Sequence, residues 1–256
     1  MRFIARVAIV LFLLFMCGCG SGGNSNNGPM LTLTAGNWQF NMVSTTNPGA
    51  VGGGGTSLSQ TGTSVSGIMH VLFLPCFKLF GDTSVSATIT GSTLQLTASS
   101  AAGSISVTAT GSATALTGTY TLSGTGCPQD SGTFTAILVP SATGNWHGTL
   151  TSASGPVAQV TAALTQSGPD AHGFFPVSGT VTFNGGTCLV SGNIVSGMAV
   201  GAVYVLIVSP DPTQAIATVV IGGFMTDPAT ANALSGAYTS NESACTDNGT
   251  FSLTRP

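Results

Sequence analysis

Three histidines, His70, His147 and His172, are the side chains that ordinarily titrate near neutral pH, so general acid–base work would fall to one of them. Such work needs an acid and a nucleophile held close by. No Gly-x-Ser-x-Gly elbow, His-Glu-x-x-His helix or Gly-x-x-x-x-Gly-Lys loop is present to supply them. Each histidine therefore reads as an ordinary polar strand or loop residue. Asp130 and Asp247 recur, each shortly after a cysteine and two residues before a glycine, Gly132 and Gly249. Asx turns ahead of those glycines account for the recurrence without a ligand. Cys76, Cys127, Cys188 and Cys245 lack the Cys-x-x-Cys or His-rich spacing of a zinc site. They read instead as cystine partners in an oxidising compartment. No catalytic group, metal site or cofactor site is expected, and the chain reads as a non-enzyme.

One segment is better suited to contact than to chemistry. Val71 to Phe80 is mostly apolar on successive residues, and Phe73, Phe77, Lys78 and Phe80 would form a lip at the mouth of a cup or touch a partner. Folded inward, the same residues would plug the rim. Beyond the first 18 residues only Lys78 and Arg255 are basic, against seven acids, which excludes nucleic-acid binding.

Cystines imply export, and the N-terminus supplies a route. Arg2 and Arg6 accompany an unbroken apolar run from Val7 to Met16. That run is too short for a membrane span, which needs about 20 apolar residues, but suits a signal peptide. It ends in Met16-Cys17-Gly18-Cys19, which resembles the bacterial lipobox. Cys19, preceded by the small Gly18, is the better acceptor, because Cys17 follows Met16. The resemblance implies a signal peptide over 1–18, then an acylated Cys19 and a flexible Gly/Ser/Asn tether over 19–35. An ordinary secretory signal cut at the same place is the alternative. Gly20 stands where an aspartate would hold many such lipoproteins in the inner membrane. The implied destination is the cell envelope, at the outer membrane of a Gram-negative bacterium.

The elements that must position these residues are written twice. Gly36-Asn37-Trp38 returns as Gly144-Asn145-Trp146, and Leu116-Thr117-Gly118-Thr119-Tyr120-Thr121 returns as Leu234-Ser235-Gly236-Ala237-Tyr238-Thr239. The offset grows from 108 at the tryptophans (146 − 38) to 118 at the later cysteines (245 − 127). One domain-sized fold over 36–140 is therefore copied over 141–256, with insertions confined to loops. The chain is 43% hydrophobic yet only 4% charged, so a packed core is available and Ser and Thr replace charge on the polar face.

Thr93-Leu94-Gln95-Leu96-Thr97 shows the alternation of a half-buried strand. Eight strands are predicted in the first repeat, at 37–44, 56–61, 64–74, 83–90, 93–99, 104–110, 115–122 and 131–138. Two-residue turns at Gly62-Thr63 and Gly91-Ser92 join neighbours into an all-β, up-and-down antiparallel meander. Eight such strands suffice to close a barrel, and a flattened β-sandwich is the alternative. Longer connections at 45–55, 75–82 and 123–130 gather at one rim. Cys76 and Cys127 follow strands three and seven, so both lie there. Of the three pairings open to four cysteines, Cys76–Cys127 and Cys188–Cys245 keep each bridge inside its own repeat. In the second repeat 169–176 lengthens a turn at the opposite end. Ala202 to Val208 is apolar on both faces and predicts a buried interface between the two barrels.

Gly36/Trp38 and Gly144/Trp146, each opening such a meander, resemble the Gly-x-Trp of lipocalins. One tight end and one loop-bearing rim are similar to lipocalin and avidin-like barrels. The lipocalin resemblance implies a late basic residue packed over the tryptophan. Arg255 stands so for Trp146, whereas Val139 takes that place in the first repeat. The function expected is non-catalytic: a lipid-anchored envelope protein that binds a small apolar ligand in a cup, or a surface partner at the rim. The alternative is a structural or interaction module of the envelope with filled barrels and no ligand. A hydrolase of unrecognised type comes third.

Overall fold

Hydroxyl and apolar residues alternate along most of the chain, and strands are the structure that separates them onto two faces. The computed structural model describes residues 29–72, 82–101, 103–124, 127–155, 157–186, 188–211, 219–242 and 245–256, with backbone alone at 127, 128, 157, 242 and 245. The expectations for Cys17, Cys19, Phe73, Cys76, Phe77, Lys78 and Phe80 lie outside the described residues.

Two closed eight-stranded antiparallel barrels follow one another. The first contains β1 (Gly36–Ser44), β2 (Val51–Thr61), β3 (Ser64–Val71), β4 (Thr83–Thr90), β5 (Thr93–Ser100), β6 (Gly103–Gly111), β7 (Ala115–Gly124) and β8 (Cys127–Leu138). The second contains β9 (Gly144–Ser152), β10 (Val157–Gln166), β11 (Phe175–Asn184), β12 (Gly192–Val200), β13 (Val203–Ser209), β14 (Val219–Met225), β15 (Ala233–Glu242) and β16 (Cys245–Thr254). Every strand pairs with its sequence neighbour. The seams close where β1 meets β8, from Trp38↔Leu138 to Ser44↔Gly132, and where β16 meets β9. The meander thus closes on itself twice, and the sandwich alternative is set aside.

Each interior is occupied by side chains. Trp38, Phe40, Met42, Met69, Ile89, Leu94, Ile105, Leu116 and Tyr120 are buried inside barrel one, and Trp146, Tyr204 and Tyr238 inside barrel two. An eight-stranded barrel is just wide enough for such filling. The chain before β1 closes one end. Leu31 and Leu33 are buried, and the Leu31 and Thr34 amides donate to the Gly91 and Ala113 carbonyls at 2.9 Å. The expected tether over 19–35 therefore cannot extend through these residues, because two leucines in apolar–polar alternation find a core to enter. Trp38 Nε1 donates to the Thr34 carbonyl at 3.1 Å, and Trp146 Nε1 to the Ala142 carbonyl at 2.8 Å, so each tryptophan pins its own plug.

Two predicted loops are strands. β2 starts at Val51, so Gly52 to Gly55 belong to the sheet and not to a 45–55 connection. The 123–130 connection shrinks, because β7 runs to Gly124 and β8 begins at Cys127.

Candidate functional site

Asp130 and Asp247 lie in strands, not in Asx turns. Asp130 is buried, and its Oδ2 accepts from Tyr120 Oη on β7 at 2.7 Å. Its Oδ1 accepts from Ser44 Oγ on β1 at 2.6 Å and from Thr46 Oγ1. In barrel two, Asp247 accepts from Tyr238 Oη at 2.7 Å and from Ser152 Oγ at 2.6 Å, with Ser154 Oγ 2.8 Å from Ser152 Oγ. A carboxylate has several acceptor sites, and here they join three strands across the seam of each barrel. Burial, the Asp130 hydrogen bond and its charge push Tyr120 up to about 12. Tyr238 is pushed up to about 12 by burial and Asp247 in the same way. Burial alone would raise Asp130, but the hydroxyls of Ser44, Thr46 and Tyr120 outweigh it and hold the carboxyl below its usual range. The Ser152 hydroxyl does the same for Asp247, against the effect of burial and with help from Tyr238. These clasps keep the carboxylates ionised and the phenols protonated, which suits a structural seam better than proton transfer. A polar depression of about 770 Å³ opens above the second clasp, beside Ser240, Asn241 and Asp247.

The barrels meet through β1 and β2 of the first and the β12–β13 turn of the second. Asn37 points outward from β1 yet is buried, with Nδ2 donating to the Gly201 carbonyl at 2.8 Å and Oδ1 accepting from the Gly201 amide at 2.7 Å. The Ala202 amide donates to Gln39 Oε1 at 2.8 Å. A Cβ on Gly55 would fall 2.1 Å from the Gly201 nitrogen, so only glycine lets this turn lie against β2. Gly201 itself has φ +55°, a conformation glycine tolerates. The lengthened turn between β10 and β11 supplies a second contact. His70 stacks on Phe174 with ring centroids 4.2 Å apart, and its Nε2 lies 2.8 Å from the His172 carbonyl. His172 Nδ1 pairs with Asp82, just ahead of β4. Hydrogen bonding to Asp82 and its charge raise His172, aided by Asp170.

Beside the junction lies a cleft of about 510 Å³, lined by Val43, Val51, Val203, Phe224, Met225 and Pro228 among others. Val51 is 60% exposed and Phe224 50%. The predicted burial of Ala202 to Val208 holds for the turn and the inward side chains alone. Tyr204, Leu206 and Val208 fill barrel two, whereas Val203, Val205 and Ile207 point outward and stay partly exposed. Strand β12 meets β1 and β2, and its Val200 is buried there.

Among the predicted residues, the structure brings His70 and His172 to the junction and leaves His147 on the outer face beside Thr254. Arg255 packs over Trp146, its Cζ 5.3 Å from the ring centroid, as the Gly-x-Trp resemblance implies. Sequence reasoning missed the two clasps, although Tyr120/Tyr238, Ser44/Ser152 and Asp130/Asp247 each recur in the duplicated frame. Among the described residues no cluster of three His, Cys, Asp or Glu side chains could hold a metal ion.

No protein-family model matches the chain, and no characterised protein matches its sequence. Among solved structures it is similar to kievitone hydratase from Nectria haematococca at 12% sequence identity and a TM-score of 0.22, over 90% of this chain and 91% of that one. So slight a likeness carries no argument about activity.

Proposed function

We propose a non-catalytic, lipid-anchored protein of the bacterial cell envelope that acts through its outer surface, docking a partner beside the barrel junction. The observation that carries this reading is where the apolar groups lie. Trp38, Phe40, Trp146 and Tyr204 fill the interiors that a cup would need empty, while Val43, Val51 and Phe224 stand exposed around an outer cleft.

The reading includes acylation at Cys19 and the bridges Cys76–Cys127 and Cys188–Cys245. Support for the second bridge is that Cys188 is a half-cystine whose carbonyl accepts from Ser240 Oγ, beside the hairpin that Cys245 opens. Loops of 51 residues (127 − 76) and 57 residues (245 − 188) would each add roughly 4 kcal/mol of stability if closed. Native mass spectrometry of the protein taken from its own envelope tests all parts together. The expected spectrum has acyl mass on the N-terminal peptide, four bridged cysteines and no retained small molecule. A stoichiometric ligand released on unfolding would restore the cup reading, and free thiols would remove the bridges.

A further inference from the structure

The duplication provides an internal control for what an outer barrel face requires. In barrel one the outward side chains of β4, β5 and β6 are hydroxyls and one amide, with Ser86, Thr88, Gln95, Thr97, Ser106 and Thr108 all exposed. The corresponding strands of barrel two, β12 to β14, turn hydrocarbon outward. Met198 faces Val205, Ile207 faces Val220, and Val203 faces Phe224 across the strands. Met198 is 40% exposed, Val220 36% and Phe224 50%. The same eight-stranded architecture closes with hydroxyls at these places, so the hydrocarbon does not serve the fold. Barrel one flanks only its edge, where Val203 and Phe224 share the cleft with Val43 and Val51, since the junction takes Val200, the Gly201–Ala202 turn and the 170–174 loop instead.

We propose that the β12–β14 face of barrel two rests on a lipid bilayer and inserts these side chains among the acyl chains. The inference rests on the envelope reading above and assigns the partner of its outer surface. Two observations favour lipid over a protein. First, β12, β13 and β14 carry no charged residue and only Asn193 and Ser196 as exposed polar side chains, so the face offers nothing to select a charged partner and little to desolvate on entering hydrocarbon. Second, three strands about 4.8 Å apart, bearing outward residues about 6.6 Å apart, present a footprint on the order of 250 Å². A stable protein interface needs about 800 Å² on each partner, so a second copy seated here would be held too weakly. A bilayer demands no shape complementarity, and Val, Ile and Phe are among the residues it accepts most readily. With no basic residue on the face, contact should not depend on anionic lipid or on salt.

The test places the full chain, isolated from its own membrane, on vesicles of pure phosphatidylcholine. A Phe224→Trp reporter swaps one exposed aromatic for another, and Trp38 and Trp146, buried in the cores, give a constant background. The expected result is flotation with the vesicles and quenching of the reporter emission when the lipid is brominated. A Thr108→Trp reporter on the matching face of barrel one should stay unquenched. Flotation without quenching of the Phe224→Trp reporter overturns the proposal, as does failure to float, or a concentration-dependent dimer that Ile207→Thr/Val220→Thr abolishes. Acyl mass on the N-terminal peptide is read separately. Flotation and quenching without that mass would sink the anchor and keep the lipid-facing surface.

Discussion

Tyr120 and Tyr238 each donate a phenolic hydrogen bond to a carboxylate that also accepts one from a serine on the far side of the seam. Hydrogen bonds to a charged group contribute about 1.5–3 kcal/mol each, so Tyr120→Phe and Tyr238→Phe should each lower unfolding free energy by about that much. Urea titration at neutral pH measures it. Because both aspartates have folded pKa values below the unfolded one, their contribution is present above the unfolded pKa, about 3.9, and is lost as pH falls through the folded value. The stability gap between the parent protein and Asp130→Asn/Asp247→Asn should accordingly be widest near pH 7 and close in acid. A gap unchanged between pH 7 and pH 2 would show that the carboxylate charge contributes nothing. Neither clasp was legible as such in the sequence. The recurring aspartates were visible, but their tyrosine and serine partners lie on other strands, and only closure of the barrel brings the seam together.

At the scale of elements, the same strand pair is used in two ways. Gly55 lies opposite Gln39 on β2, and Thr161 lies opposite His147 on β10. The missing side chain of Gly55 admits the Gly201 turn, while Thr161 and Asn145 stay exposed on the outside of barrel two. Barrel two thus lacks the gap through which barrel one receives the turn. Gly55→Val should cost about 1–3 kcal/mol through overpacking and expose the 139–143 linker to protease, whereas Thr161→Val should leave both unchanged. Asn37→Ala should cost about 2 kcal/mol for its two buried hydrogen bonds, and Asn145→Ala close to nothing, by thermal unfolding. If Asn37→Ala and Asn145→Ala behave alike, the turn is not held by the amide. A four-glycine run reads locally as loop, and its strand character comes from pairing with β1 and β3.

For the whole molecule, the His172–Asp82 pair is one place where pH can act on how the barrels sit together. His172 faces Asp82 across the junction and Asp170 on its own loop, and its carbonyl holds His70. Its pKa is raised, so the pair strengthens docking below the unfolded pKa, about 6.5, and that support is lost as pH rises through the folded value. Asp82→Asn should move the NMR titration midpoint of His172 back toward 6.5. An unmoved midpoint would mean that the pair does not form in solution. The Asn37 and Gln39 contacts do not titrate, so docking should persist above neutral pH with a looser 170–174 loop.

Strand number, duplication and barrel closure were within reach of the sequence, because alternation, two-residue turns and a repeated Gly-x-Trp are local patterns whose physics is local too. The plug formed by Leu31 and Leu33, by contrast, reads as tether. Arg255 over Trp146 was implied by the Gly-x-Trp resemblance. What tertiary structure decided was which outward faces are covered. Ala202 to Val208 is apolar on both sides whether or not a barrel lies against it, and Asn37 and Asn145 are identical in type and context. Their fates differ because burial on an outer face depends on a second body approaching, and the missing Cβ of Gly55 chooses where that body can come close.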